Sequence, residues 1–183
     1  MTESRRDAVL AAAVEVLGNV GARGFTHRAV DRAAHVPEGT TSNHFRTRAA
    51  LVAGVLSYIS AAESAPLDEL LPPRMTVDDL VAISAQRVNY LLREGRTLTL
   101  ARHALFLEAA WNPALRPGLL AESQRWWDLG TALFTQLAVA NPARRSRWLF
   151  AYIDGLLADQ LARPDPSFDA AAAVRAGLTG LLS

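Results

Sequence analysis

The chain has 183 residues, half of them hydrophobic, with 19 basic against 18 acidic side chains. That size and apolar content suit one large domain, or a small one joined to a medium one, and exclude global disorder. Cysteine is absent, which removes disulfides and thiolate metal sites, and no apolar run reaches the length of a membrane span.

Apolar residues recur at spacings of three and four throughout, and strand patterns are nearly absent. The start, MTESRRDAVLAAAVEVL, sets an Arg pair before an apolar stretch. Asp7 and Glu15 interrupt it and no small-residue cleavage site follows, so the expectation is a cytoplasmic protein with no membrane partner. Val9, Leu10, Ala13, Val14 and Leu17 predict a first helix over roughly 4–20, ended by Gly21 and Gly24. Thr26 is the expected N-cap of a short second helix through Ala34. Pro37 stands near the start of a third that runs to about His44. A fourth is predicted from Arg48 to about Ala62, after which Ala65-Pro66 and Leu71-Pro72-Pro73 break the pattern.

Thr76 is expected to cap a fifth helix over 78–93, stopped by Gly95. A sixth is expected over 96–111, ended by Asn112-Pro113, and a seventh from Leu115 to about Val139. Asn141-Pro142 opens an eighth that Pro164 and Pro166 close, and residues 168–182 make the last. About nine helices and no strand predict an all-α fold.

Charge singles out one segment. Residues 22–48 hold five Arg against Asp31 and Glu38, a balance of +3, while residues 51–183 hold twelve Arg against thirteen acids. A local basic patch is what attracts phosphate. The same segment carries two short helices across a tight turn. Ala29, Val30, Ala33 and Ala34 sit at core spacing in the first, Val36 lies in the turn, and Phe45 and Leu51 close the far side. Between them, Glu38, Gly39, Thr40, Thr41, Ser42, Asn43 and His44 make a nearly uniformly polar third helix. Burying such a helix would strand hydrogen-bonding groups, whereas a polyanion would use them. Gly39 permits close approach, Thr40, Thr41 and Asn43 can reach phosphates or base edges, and Arg28, Arg46 and Arg48 bracket them for phosphate contact. Spacing alone leaves a solvated surface helix as the other reading.

The pattern resembles the DNA-binding domain of the TetR family of transcriptional regulators. Gly21, Thr26, Val30, Ala34, Val36, Gly39, Thr40, His44, Phe45, Arg48 and Leu51 stand where that family's motif has its Gly, Thr, aliphatic-Ala core, Gly-Thr, His-Phe and basic-Leu positions, over about residues 8–55. Four positions depart from it. His35 stands where Gly is usual, Ser42 where Tyr is common, Asn43 where His is frequent, and Arg48 where the basic residue is usually Lys. The resemblance implies a three-helix helix-turn-helix domain at residues 1–50, with the fourth helix (48–62) as connector, and an effector-binding and dimerisation domain at 51–183. It implies a repressor that binds a palindromic operator on double-stranded DNA as a homodimer. Thr26, Arg28, Glu38, Gly39, Thr40, Thr41, Asn43, His44, Arg46 and Arg48 would meet the DNA.

By the same resemblance, helices five to seven hold an effector and helices eight and nine pair with a second subunit. Tyr90, His103, Phe106, Trp111, Trp126 and Trp127 are the residues expected around a small apolar or aromatic molecule. Trp148, Tyr152, Leu156, Val174 and Leu178 are those expected at the dimer interface. The effector would shift helix four and so the separation of the two reading helices.

No catalytic set is recognisable. His27, His35, His44 and His103 are too scattered for a helical metal pair, and no His-Glu-x-x-His, nucleophile elbow or Gly-rich phosphate loop occurs. No enzyme activity, cofactor or metal is expected. The rival reading is a helical small-molecule carrier or enzyme whose N-terminal helices are merely structural.

Overall fold

A computed structural model describes residues 4–68 and 74–182. Among these the chain forms α1 (Arg5–Gly24), α2 (His27–Ala33), α3 (Thr40–His44), α4 (Arg48–Asp68), α5 (Val77–Leu92), α6 (Arg96–Trp111), α7 (Arg116–Gln136), α8 (Pro142–Ala162) and α9 (Ala170–Leu182). A 3-10 turn at Pro113–Leu115 joins α6 to α7, and no strand occurs among the described residues. The all-α fold is therefore as the sequence predicts.

Local chemistry explains most boundaries. Ser4, Thr26 and Thr76 each accept a hydrogen bond from the backbone N–H three residues on, satisfying a donor that a helix start leaves open. At Thr76 the cap is reciprocal, because the Asp79 carboxylate accepts from the Thr76 N–H. Asp169 accepts from Ala171 and Ala172 and so starts α9. Gly21 sits at φ 69° inside the span of α1, so the regular helix kinks where the first Gly was expected to end it.

Three boundaries differ from expectation. The third helix begins at Thr40 rather than near Pro37, because Gly39 adopts φ 93° and closes a turn instead of continuing a helix. The fourth runs through Pro66 to Asp68. So near a C-terminus the proline forfeits a single backbone hydrogen bond, and the helix survives it. The seventh starts at Arg116 after the 3-10 turn, and stops at Gln136 ahead of Ala138 at φ 54°. The expected break at Leu71-Pro72-Pro73 lies outside the described residues.

The chain divides into two compact units. The first takes the N-terminal residues to Ala65 together with Arg96–Glu122. Its core is built from Val9, Leu10, Ala13 and Leu17 of α1, Phe25 at its end, Val30 of α2, Phe45 just after α3, Leu51, Val55 and Ile59 of α4, and Ala101 and Leu105 of α6. Helices α1 and α6 approach closely. A Cβ on Gly18 would lie 2.5 Å from Thr97 Cγ2 and 2.8 Å from the Thr97 carbonyl, so only glycine fits there. The second unit takes Pro66–Gly95 and Ser123–Ser183, and packs Leu80, Val81 and Val88 of α5 with Phe134, Leu149, Leu157, Val174 and Leu178. These units describe packing.

Candidate nucleic-acid interface

Helix α3 is held by a carboxylate. Asp31, on α2, is 3% exposed. Its Oδ2 accepts from the Gly39 N–H at 2.7 Å, and its Oδ1 from the Thr41 N–H at 2.7 Å and the Thr41 hydroxyl at 2.5 Å. Burial by itself would raise the Asp31 pKa. The hydrogen bonds from the Thr41 hydroxyl, the Thr41 N–H and the Gly39 N–H, with the nearby His27, outweigh it and hold the carboxyl below its ordinary value. Since Gly39 has no side chain to cap α3, Asp31 supplies that cap from the neighbouring helix.

One further polar tie closes the head. His27 Nε2 lies 2.7 Å from the Phe45 carbonyl, so this nitrogen carries the proton and donates. That bond joins the start of α2 to the end of α3. The turn between them passes through His35 at φ 53°, the left-handed backbone that Gly supplies more easily. His at this position accepts the strain that the sequence anticipates.

With those groups engaged, a small set remains at the surface. Ser42, Asn43 and His44 of α3 are exposed, as are Arg46 and Thr47 just beyond it and Arg28 on α2. Arg28 and Glu38 pair with each other at 3.2 Å, both well exposed. Such a pair contributes little to stability and leaves both side chains able to rearrange toward a ligand. Thr26 is exposed and spends its oxygen as the α2 cap, and half-buried Thr40 donates its hydroxyl to the Pro37 carbonyl at 2.7 Å.

Two residues expected at this surface, Thr41 and Arg48, face elsewhere. Thr41 is fully buried, its hydroxyl committed to Asp31, because α3 needs a polar anchor underneath. Ala33, expected in the core, is exposed, and Asp31 takes the buried position beside Val30. Arg48 turns inward. Its Nε and Nη2 donate to the two oxygens of Glu108 on α6 at 2.6 and 2.8 Å. Nη2 also donates to the Ala22 carbonyl at 3.1 Å and Nη1 to the Phe25 carbonyl. Composition gave little hint of either role. The available signal for Asp31 was a single acid in an otherwise apolar and basic helix, eight residues before a Gly.

The residues expected around an effector fall in both packing units. In the first, His103 Nδ1 lies 2.9 Å from the Thr99 carbonyl, and its ring is 5.9 Å from Phe106. Arg102 stands 5.9 Å over the same Phe106 and pairs at 2.8 Å with Glu63, which is 2% exposed. Trp111 ends α6 at 89% exposed and lines no interior of its unit, against expectation. In the second unit Tyr90 and Trp126 flank the Arg87 guanidinium at 5.3 and 5.9 Å, and Trp126 lies 6.3 Å from Phe150. Trp127 stacks under Arg147 at 3.9 Å. Glu63 and Arg87 were not foreseen as partners of these rings.

On α8 and α9, Trp148 is 50% exposed, with Arg144 and Arg145 over its ring. Leu156 is half-buried, and so is Tyr152, whose hydroxyl donates to the Ala173 carbonyl at 2.9 Å. Val174 and Leu178, expected at a subunit interface, are buried in the protomer's own core, because α9 points that face at α5 and α8.

Comparisons with known proteins bear on these features. The sequence profile of the family described as tetracyclin repressor-like, C-terminal domain, matches residues 75–183. Among curated proteins no sequence matches. Solved structures do. A transcriptional regulator from Rhodococcus sp. Rha1 superposes with a TM-score of 0.84 at 23% identity, covering 98% of this chain and 96% of its own. A member of the TetR family from Streptomyces coelicolor A3 gives 0.77 at 28% identity, with 98% and 99% covered. The multidrug binding protein EbrR complexed with ethidium gives 0.77 at 27% identity, with 98% and 99% covered.

Proposed function

The chain belongs to the tetracycline-repressor-like (TetR) family of transcriptional regulators, and on that premise we propose that it is a homodimeric repressor released from its operator by a small molecule. The observation that carries this is the exposed row Ser42, Asn43 and His44, set on a helix whose buried polar groups are tied from beneath. A helix pinned in this way can enter a major groove without rearranging. Asn43 offers the amide pair that suits adenine, and Ser42 and His44 supply shorter-range donors and acceptors. Arg28, Arg46 and Thr26 flank the row for phosphate contact, with Glu38, Gly39 and Thr40 shaping the approach.

Residues 1–50 would read DNA, and residues 51–183 would bind effector and pair subunits. The α8 and α9 faces outside the protomer core carry the pairing, with Trp148 as the anchor and Tyr152 and Leu156 beside it. Val174 and Leu178 support that face from within. Two copies on a two-fold axis would present two α3 helices to half-sites about 34–36 Å apart along the duplex.

The effector is an apolar or aromatic molecule. EbrR, similar over nearly the whole chain, is complexed with ethidium, and aromatic rings are the matching chemistry here, Tyr90 and Trp126 within the second unit and His103 and Phe106 within the first. Release requires the ligand to bind one state of the dimer more tightly than the other. Such a protein acts where the DNA is, in the cytoplasm.

A gel-shift titration on DNA flanking the protein's own gene tests the reading. A specific complex that weakens with salt is expected, and Asn43→Ala should change which bases are preferred. Absence of any specific complex would return the N-terminal helices to a merely structural role.

A further inference from the structure

We propose that Arg48 and Glu108 form a tether through which α6 positions the DNA-reading helices, and that Arg48 is therefore a positioning residue rather than a phosphate contact. The proposal rests on the DNA-binding reading of the head. Arg48 is the first residue of α4, four positions after α3 ends. Its fork takes both oxygens of Glu108, at 2.6 and 2.8 Å, and Glu108 is largely covered. The remaining face of the guanidinium donates to the Ala22 and Phe25 carbonyls and lies 5.2 Å over the Phe25 ring. Those carbonyls stand at the C-terminal end of α1, where a helix leaves acceptors unmatched and carries partial negative charge.

One side chain thus joins three segments: the end of α1, the start of α4, and α6. The first two bracket α2 and α3, so their separation sets how the reading helix stands. The third carries His103 and Phe106. A displacement of α6 would reach the head through a bidentate ion pair, without having to travel along α4. The geometry also requires arginine. A lysine could touch a phosphate as a point charge, but it cannot span two carboxylate oxygens and two carbonyls at once.

That difference supplies the test. Arg48→Lys and Glu108→Gln should each weaken specific operator binding roughly tenfold. The salt slope of log affinity should stay unchanged, and the double variant should be no weaker than the worse single one. Arg46→Gln, the flanking phosphate contact, should instead lower the slope by about one. Wild-type affinity in Arg48→Lys, or a slope lowered by about one in Arg48→Gln, would overturn the tether. A readout without DNA accompanies these. Amide exchange over residues 40–51 should quicken in Glu108→Gln while the circular dichroism stays helical, and unchanged exchange there would overturn it too. Should wild type form no complex with any DNA, the DNA reading falls, and the exchange measurement still judges the tether.

Discussion

Replacing Asp31 with alanine would leave the Gly39 N–H, the Thr41 N–H and the Thr41 hydroxyl without their acceptor. Hydrogen bonds to a charged group contribute about 1.5–3 kcal/mol each, before the desolvation of the carboxylate is set against them. Gly39 is half-buried, so water can replace its bond, whereas Thr41 is fully buried and its two donors would stay unmatched. A net loss of about 3 kcal/mol follows, a large part of the 5–15 kcal/mol typical of a folded domain. Urea unfolding of Asp31→Ala measures it, alongside operator affinity at denaturant-free conditions where the variant is folded. Affinity should fall further than stability alone explains, because α3 loses its cap. The carboxyl's folded pKa lies below its ordinary value, so its contribution is present above that ordinary value and is lost as pH falls through the folded pKa. Asp31→Asn should remove that acid-side decline. A loss under about 1 kcal/mol in Asp31→Ala, with operator binding intact, would refute the idea that this carboxylate holds the reading helix.

Gly39→Ala meets no neighbour within 4 Å, so its cost is backbone strain at φ 93° alone; about 1 kcal/mol in thermal unfolding is expected. Thr76→Ala removes one half of a reciprocal cap and should lower stability by about 1 kcal/mol in urea unfolding, without touching DNA affinity. Trp148→Glu places charge on the exposed α8 face; sedimentation should show monomers, with helix content retained and operator affinity reduced. Persistence of the dimer in that variant would move the interface elsewhere.

Much of the fold was legible because its signals are local. The Thr76 cap and the Asn112-Pro113 stop mark α5 and α6 to within a residue or so, since capping and proline act on adjacent backbone. Gly39 was legible as a special backbone position, but its positive φ moved the start of α3 three residues from where a proline rule placed it. The head's apolar core of Val30, Phe45 and Leu51 followed from spacing, and so did the exposure of Asn43 and His44. His35 was correctly singled out because a turn that usually needs Gly leaves few other choices.

By itself, then, the sequence determined an all-α chain, a helix-turn-helix with its polar face, and the family to which it belongs. Only the tertiary structure decided which polar side chains face out. Thr40, Thr41, Ser42 and Asn43 are alike in type and adjacent in the chain, yet one of them is buried on Asp31. Arg28, Arg46 and Arg48 carry the same charge, yet one is drawn inward by a carboxylate sixty positions away. Residue type sets what a side chain can bond; the direction it takes depends on which partner the fold brings within about 3 Å, and no local pattern records that distance.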